Sequence, residues 1–432
     1  MIQLQAKAPL IAKLLGEQIY DSGKKYKKAS FVFEVYIRNR QLLYNVFTKE
    51  LLLLDKKGVE EEFLVKNWFL IPVEQKEYEL IDPIKNFMGI THSQKSVVKD
   101  YTIFTTTDCN ARCSYCFENG LSKIRMTDDI IMQTINFIKK HYDGQTVKIH
   151  WFGGEPLYNV KAINVVSKEL LDAGIRFRSI MTTNGYLFSE KMVEKAKNEW
   201  NLENVQITLD GTENKYNQIK NYIYKTTNPF ARVISNIGLL LEKKIIVKIR
   251  LNLSLENADD LFELTRCLIN NYGHYRNLSI YPIPLFELIK DDENRRGIFE
   301  KLEMLQNLIS RHSLNIDYAY FKKIRVNHCK ADNGGNSIVI FPDGNVGLCE
   351  HEWESVYIGN LSSEEFDQSV INEWRKYNQP MDKCKHCLFY ADCVKLSLCN
   401  TNNFCNEELV DFDKLVLRDT IRKVYKKYEA EI

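Results

Sequence analysis

The sequence predicts an α/β protein whose central part is a parallel sheet, closed or partly closed as a barrel. Two observations support this prediction. Strand-like and helix-like segments alternate between residues 97 and 315, and the cysteines are unevenly distributed, with none before residue 109, three at 109–116, one at 267 and seven between 329 and 405. A chain of 432 residues also has the length of two or three domains. We therefore expect three parts, which comprise residues 1–95, 96–318 and 319–432.

The N-terminal part has the pattern of a small α+β module. Apolar and polar residues alternate in SFVFEVYIRN, and LLYNVFT follows after a turn-like RNRQ, which predicts an antiparallel hairpin. A charged, helix-like segment (DKKGVEEEFLVKN) and a short apolar strand (WFLIP) come next.

The central part is expected to contain six strands, with helical segments between them. The strand candidates are YTIFTT, VKIHWF, RFRSIMTT, NVQITL, IIVKIRLNL and NLSIYPIPL. One of the intervening helices is predicted to end at Gly174, which suits a helix C-terminus. In parallel sheets of this kind, functional residues collect at the carboxyl ends of the strands.

The composition is that of a soluble protein, with 44% hydrophobic and 27% charged residues. The net charge is +2, without the basic surplus that phosphate binding requires, so nucleic acid is not an expected partner. The apolar start APLIAKLL is too short to span a membrane and lacks a signal-peptide pattern. We expect a cytoplasmic protein without a membrane partner, in which the 11 cysteines stay reduced and serve mainly as metal ligands.

Three cysteines, Cys109, Cys113 and Cys116, directly follow the first strand of the central part. Three thiolates suit an iron–sulfur cluster, in which each cysteine binds a different iron. A cube of four irons would keep one iron open for a small molecule. The alternative is zinc, but a structural zinc site needs a fourth ligand, and no cysteine or histidine nearby supplies one.

The second strand of the central part ends in WFGGEP. Gly153 and Gly154 would permit a close backbone approach, and Glu155 could pair with the ammonium of a ligand. Taken alone, the two glycines would indicate no more than a tight turn.

Together these motifs resemble those of the radical S-adenosylmethionine (SAM) superfamily. CNARCSYC is similar to its CX3CX2C motif, with an aromatic residue before the last cysteine, and GGEP is similar to its SAM-binding motif. The resemblance covers residues 97–315 and implies a partial (β/α)6 barrel of the TIM type. It also implies an oxygen-sensitive [4Fe–4S] cluster on the three cysteines and a SAM molecule that is cleaved to a 5′-deoxyadenosyl radical. The residues that it assigns to SAM binding are Tyr115, Gly153, Gly154, Glu155, Pro156, Asn184 and Thr208.

One part of the family pattern is altered. Related enzymes have an HDxxR-like run after the fourth strand, where this chain has Tyr216, Asn217 and Lys220. Lys220 could replace the arginine as a partner of the SAM carboxylate, although lysine is a point charge without the planar fork of arginine. Arg250 is a second candidate for this contact.

The later cysteines resemble the pattern of a SPASM domain, which implies two auxiliary [4Fe–4S] clusters. The resemblance assigns Cys329, Cys349 and Cys399 to the first cluster, and Cys384, Cys387, Cys393 and Cys405 to the second. Cys399 lies farther from Cys393 along the chain than it does in the family pattern. The first cluster then has three thiols, so that it has an open iron, has His328 or His351 as a fourth ligand, or is absent.

Two further residues complete the expectations for the site. Glu350 follows Cys349 directly, and the resemblance to sulfatase-maturating enzymes implies a general base at this position. Its alternative is an ordinary solvated glutamate. Cys267 belongs to neither cysteine pattern and is expected to be an inert thiol of the core.

The combination of motifs predicts a radical SAM maturase of a ribosomally synthesised peptide, which forms a thioether or carbon–carbon cross-link. The N-terminal module resembles domains that bind a leader segment by strand addition, and its alternative is a structural cap on the barrel. Expected partners are a precursor peptide with a leader and an electron donor such as flavodoxin or ferredoxin. Two alternatives are an anaerobic sulfatase-maturating enzyme and a non-enzymatic iron–sulfur electron carrier.

Overall fold

A computed structural model describes residues 1–54, 60–93, 98–224, 226–285, 289, 291–314, 331, 336–351, 357–363, 365–375, 382–393 and 407–432. The predicted domain boundaries at 95/96 and 318/319 both lie outside these residues, so they stay predictions. Within the described ranges, no helix combines the length and the apolar character needed to cross a bilayer.

The N-terminal module contains two small antiparallel sheets and three helices. The larger sheet has the order β1-β5-β4-β3, and the smaller one pairs β2 with β6. Arg38 and Asn39 form the turn between β3 and β4, and both have positive φ, which is the geometry of a type I′ hairpin. The predicted hairpin is therefore present. The elements are β1 (Ile2–Gln5), α1 (Pro9–Leu15), β2 (Tyr26–Lys28), β3 (Val32–Ile37), β4 (Arg40–Asn45), β5 (Leu51–Leu53), α2 (Glu61–Lys66), β6 (Leu70–Pro72) and α3 (Glu77–Ser93).

The central part contains the six predicted strands, in parallel and in sequential order. Each pair is joined by one or two helices, as right-handed βα crossovers require. β12 lies at one edge of the sheet and does not pair with β7, so the barrel is partial, which confirms the predicted fold class. The strands are β7 (Asp100–Thr106), β8 (Val147–Gly153), β9 (Phe177–Thr183), β10 (Leu202–Leu209), β11 (Ile246–Leu253) and β12 (Leu278–Pro284). The helices are α4 (Asp128–Lys140), α5 (Val160–Asp172), α6 (Glu190–Asn198), α7 (Glu213–Lys220), α8 (Pro229–Glu242), α9 (Ala258–Tyr272) and α10 (Asp292–Arg311).

Helix ends in the barrel follow from local side-chain chemistry. The hydroxyls of Thr127 and Ser189 accept a hydrogen bond from a backbone N–H in the first turn of α4 and α6, and the side chains of Asn228 and Asp291 do the same at α8 and α10. Gly174, with a φ of 68°, follows the last turn of α5, as the sequence predicts.

The C-terminal region extends the barrel sheet. β13 (Ser337–Ile340) pairs in parallel with β7, and β14 (Asn345–Gly347) and β15 (Tyr357–Asn360) continue the sheet in antiparallel pairs. The sequence predicts short strands here, but it does not predict their pairing with the barrel sheet. α11 (Gln368–Arg375), a 3₁₀ turn (Asp382–His386) and α12 (Glu407–Glu431) follow.

Besides a small cluster of Phe104, Val339 and Phe341, the described residues form two large hydrophobic cores. One fills the barrel and reaches into the extension formed by β13 to β15. The other belongs to the N-terminal module but also includes residues of the C-terminal region, among them Leu388, Leu417 and Tyr425. The two ends of the chain are therefore packed together.

Candidate active site

The loop that follows β7 carries Cys109, Cys113 and Cys116, at the carboxyl end of the parallel sheet. All three thiols are half-buried and free. Local hydrogen bonds fold the loop, from the Cys116 N–H to the Cys113 carbonyl (3.2 Å) and from the Ala111 N–H to the Cys109 Sγ (3.3 Å). Burial raises the pKa of the Cys109 thiol to about 12, and a bound cation would favour the thiolate.

Gly153 and Gly154 lie directly against the backbone of this loop. A Cβ atom on Gly153, which has a φ of 115°, would lie 2.2 Å from the Thr106 carbonyl oxygen. A Cβ on Gly154 would lie 2.5 Å from the carbonyl oxygen of Asp108. The N–H groups of Gly154 and Glu155 donate to these same two carbonyls, both at 3.0 Å. The glycines therefore let the end of β8 hold the cysteine loop in place.

Glu155 is fully buried, and its carboxylate accepts hydrogen bonds from within the protein. The donors are the Thr183 hydroxyl (2.7 and 2.9 Å), the Asn184 N–H (2.8 Å) and the Leu157 N–H (3.2 Å). Burial raises its pKa to about 7 against the effect of these hydrogen bonds. In this structure the side chain of Glu155 ties β8 to the end of β9, and pairing with a ligand ammonium stays a prediction.

Pro156 and Asn184 lie on either side of Glu155. The Pro156 carbonyl accepts a hydrogen bond from the Thr105 hydroxyl (2.9 Å). The Asn184 amide donates to the side-chain oxygen of Asn110 in the cysteine loop (2.6 Å). The ends of β7, β8 and β9 are therefore connected around the three thiols, as the rule for parallel sheets leads one to expect.

A buried ion pair contacts the cysteine loop through Tyr115. The Lys220 ammonium at the end of α7 lies 3.0 Å from the Asp210 carboxylate after β10, and both side chains are almost fully buried. Lys220 also donates to the hydroxyls of Tyr115 (2.9 Å) and Thr208 (2.8 Å). The Tyr115 hydroxyl donates to Asp210 (2.8 Å), and Asn252 donates to both (2.9 and 3.0 Å). The pair thus fixes Tyr115, which lies between two of the cysteines.

Lys220 and Thr208, which the sequence predicts as contacts of SAM, form hydrogen bonds with protein groups in this structure. Their contact with SAM stays a prediction. Asp210 and Asn252 were not proposed at all, although their positions at the ends of β10 and β11 could have suggested them. The Nε atom of Arg250, the other candidate, is buried on β11 and has no hydrogen-bond partner among the described residues.

Glu350 lies near the same loop. It is half-buried and follows Cys349 after β14. The ring of its neighbour His351 packs 4.7 Å from the ring of Phe117, next to Cys116. The structure therefore places the segment 349–351 beside the cysteine loop, which is where a catalytic residue would have to lie. The role of Glu350 as a base stays a prediction.

The remaining cysteine predictions have different outcomes. Cys384, Cys387 and Cys393 are half-buried cysteines in one short segment. Cys329, Cys399 and Cys405, like His328, lie outside the described residues. The prediction that Cys267 is buried is wrong, because it is exposed on α9, whose buried residues include Leu261, Leu264 and Leu268.

The described residues fit a cluster and a bound small molecule. They contain no group of three His, Cys, Asp or Glu side chains that would hold a single metal ion, and a four-iron cluster does not need one because each cysteine binds a different iron. Two buried polar atoms at the site, Glu118 Oε2 and Asn252 Oδ1, have no hydrogen-bond partner among the described residues. Such unsatisfied atoms are costly unless a ligand pairs with them.

Comparison with known families gives a direct match to this part of the chain. The profile of the radical SAM superfamily matches residues 103–268, which include the cysteine loop, the GGEP segment and Lys220. The chain contains a radical SAM domain. The predicted resemblance is confirmed, and such a domain implies a [4Fe–4S] cluster and SAM.

Individual relatives are distant. A GTP 3′,8-cyclase of Clostridium perfringens is 27% identical over 190 residues, which are 43% of this chain. The match spans 56% of that relative's own length.

Solved structures show a similar fold. Native anSMEcpe with bound AdoMet covers 77% of this chain and 100% of its own, with 14% identity and a TM-score of 0.58. Streptococcus suis SuiB bound to the precursor peptide SuiA covers 89% of this chain and 97% of its own, with 14% identity and a TM-score of 0.52.

Proposed function

We propose that this protein is a radical SAM enzyme that modifies a ribosomally synthesised peptide and forms a thioether or carbon–carbon cross-link. When bound, the cluster and SAM supply a 5′-deoxyadenosyl radical that takes a hydrogen atom from the peptide. The protein holds these groups, orients the peptide and excludes water from the reaction.

The residues at the carboxyl end of the sheet have separable tasks in this proposal. Cys109, Cys113 and Cys116 hold the cluster. The GGEP segment, Tyr115, Asn184 and Thr208 contact SAM, and Lys220 holds Tyr115 through the buried network. The unsatisfied oxygens of Glu118 and Asn252 are available for polar groups of SAM or of the peptide.

The observation that carries the peptide assignment is the extent of the likeness to SuiB. Coverage of 89% leaves out fewer residues than the N-terminal module contains, so the aligned region must include part of this module. anSMEcpe covers 77% of this chain, and the residues that it leaves uncovered are numerous enough to include the whole module. SuiB was solved with its precursor peptide, which supports a peptide substrate for a chain of this architecture.

The N-terminal module offers an edge for a leader segment. Among the described residues, no strand pairs with β3 on the side away from β4. Ile37 and Arg40 are the hydrogen-bonded pair that closes the two-residue hairpin, and hydrogen-bonded and non-hydrogen-bonded pairs alternate along β3. The backbone N–H and C=O groups of Glu34 and Tyr36 therefore point away from β4. Tyr36 is 63% exposed. A leader strand could pair with these backbone groups and place its side chains beside Tyr36.

The later cysteines would hold two auxiliary clusters that accept the electron released as the cross-link closes. We assign Cys329, Cys349 and Cys399 to the first cluster, and Cys384, Cys387, Cys393 and Cys405 to the second. Glu350 would take the proton lost from the peptide in the same step. Flavodoxin or ferredoxin would deliver the electron that starts each SAM cleavage.

A sulfatase-maturating activity is the second candidate. It is favoured by anSMEcpe, which has the higher TM-score of the two structures and has also been solved with a bound peptide, Cp18Cys. This candidate gives no role to an N-terminal leader-binding edge. The two activities therefore differ in whether they need β3.

The test is anaerobic co-expression with the small open reading frames encoded beside the gene, followed by intact-mass measurement of each peptide. A cross-linking maturase should remove two hydrogens per modification, and Cys109→Ala should abolish this change. Tyr36→Pro, which blocks strand addition at the edge of β3, should reduce modification of the full precursor but not SAM cleavage. An unchanged mass for every peptide, together with formylglycine in a co-expressed sulfatase, would favour the second candidate.

A further inference from the structure

The segment 382–393, which carries Cys384, Cys387 and Cys393, packs on the N-terminal module. Leu388, Tyr390 and Ala391 are buried in the same hydrophobic core as Phe31 and Phe47 of the module. Cys384 and Cys387 pack against this core from its border. A cysteine-rich segment cannot form a core of its own, so the module supplies one.

Lys49 of the module forms a buried ion pair with Asp392, the residue before Cys393. Lys49 lies between β4 and β5, with a positive φ of 68°, and its side chain is almost fully buried. A buried ammonium is stable only if it is paired, so this contact fixes where the segment docks.

Lys85 on α3 makes a second set of contacts a few residues away. Its ammonium donates to the carbonyls of Tyr390 (2.8 Å) and Cys393 (2.5 Å). The Tyr390 hydroxyl donates to Asp82, also on α3, at 2.7 Å. Lys85 therefore binds the backbone of a predicted ligand, while Tyr390 is held at both its ring and its hydroxyl.

We propose that the N-terminal module is a structural part of the second auxiliary cluster site, in which Lys49 and Lys85 hold Asp392 and Cys393 in position. This inference rests on the proposed auxiliary cluster and adds to it. The module then has two separate functions, because the edge of β3 binds the leader and the hydrophobic core of the module supports the cluster. The Lys85 ammonium beside Cys393 would also stabilise the negative charge of the loaded site, whereas the charge of Lys49 is balanced by Asp392.

The test uses the full chain with Cys109, Cys113 and Cys116 all changed to alanine, so that the remaining iron belongs to the later cysteines. After anaerobic reconstitution, the rate of iron loss to a chelator is measured for Lys49→Met and Lys85→Met. Partners beyond the ligands typically affect metal affinity by about 10–100-fold, so we expect iron loss about tenfold faster. Lys66→Met, the same change at an exposed lysine of the module, should have no effect.

A milder variant guards against general unfolding. Tyr390→Phe removes one hydroxyl without changing the packing and should accelerate iron loss by a smaller factor. Hydrogen exchange should rise at residues 382–393 in all three variants and stay unchanged in β9. Iron loss no faster than in Lys66→Met would overturn the inference. A reconstituted parent chain without iron would overturn the auxiliary cluster itself, and the peptide-mass experiment would be unaffected by that result.

Discussion

Two cysteine-bearing segments of this molecule are each held by a buried lysine–aspartate pair, but the pairs differ in their origin. Lys220 and Asp210 belong to one βα unit of the barrel and lie ten residues apart in the sequence. Lys49 and Asp392 join opposite ends of the chain. The pair beside the loop with Cys109, Cys113 and Cys116 is therefore formed within the barrel, whereas the pair beside the segment with Cys384, Cys387 and Cys393 depends on a second domain.

This difference has an energetic meaning. A buried ion pair adds little net stability compared with apolar packing, but the loss of one partner is costly because the other charge stays buried. Such pairs are therefore better suited to fixing an arrangement than to stabilising it. In the barrel the pair fixes one tyrosine, and in the N-terminal module it fixes the docking of a whole segment.

The largest expected effect separates the two cysteine sets. Cys109→Ala should reduce the formation of 5′-deoxyadenosine, measured anaerobically with dithionite, to the level without enzyme. Cys387→Ala should leave this SAM cleavage intact and abolish only the change in peptide mass. Cys267→Ala, at an exposed thiol outside both sets, serves as the control and should leave both unchanged. Loss of SAM cleavage in Cys387→Ala would show that the two segments are not independent.

The second prediction concerns the barrel pair. Lys220→Met leaves Asp210 buried and unpaired, so the free energy of unfolding should fall by about 3–5 kcal/mol. Lys243→Met removes an exposed lysine from its pair with Glu194 and should lower the free energy of unfolding far less, because water screens this pair. Urea unfolding of the iron-free chains measures both. Equal effects in the two variants would contradict the importance that we assign to the buried pair.

The third prediction concerns the close contact between β8 and the cysteine loop. Gly153→Ala places a Cβ against the Thr106 carbonyl at a positive φ, and we expect a loss of about 2–3 kcal/mol and a lower iron content. Gly238→Ala is the matched control in α8, where a Cβ would only touch the Tyr272 ring at 3.5 Å. That change should be neutral or stabilise by up to about 1 kcal/mol.

Local patterns predicted much of this structure. The six barrel strands, the β3–β4 hairpin and the position of the cysteine loop follow from hydrophobic periodicity and from motifs within a few residues. The contacts of Gly153 and Glu155 with neighbouring strands agree with a site at the carboxyl end of the sheet.

The contacts between distant segments could not be predicted. The pairing of β13 with β7, the packing of α12 on the N-terminal module and the pair Lys49–Asp392 depend on tertiary packing that no local pattern encodes. Cys267 has apolar neighbours in the sequence, which predict a buried thiol, but it lies on the outer side of α9 and is exposed. The buried pair of Lys220 with Asp210 could not be predicted either, because it depends on the folded βα unit.

The smallest expected effect tests the buried carboxyl of Glu155. Burial raises its pKa to about 7, so between the ordinary glutamate range and pH 7 the folded chain holds a proton that the unfolded chain has released. The contribution of the protonated Glu155 to the free energy of unfolding is complete at a pH below the pKa of the unfolded chain. It is lost as the pH rises through about 7. Between pH 5 and 7 the free energy of unfolding should fall by at most about 1.4 kcal/mol per pH unit from this group.

Glu155→Gln separates this slope from the loss of hydrogen bonds. The glutamine amide turns an N–H towards the backbone N–H of Leu157 or Asn184, so the variant should be less stable at every pH, by about 1–3 kcal/mol. Its stability should nevertheless depend less on pH, because it cannot titrate. Unfolding of the iron-free chain at several pH values measures both effects, with Asp128→Asn, at an exposed carboxylate, as the control. A variant that lost stability but kept the wild-type slope would show that Glu155 is already ionised in the folded chain, held so by the three donors that surround it.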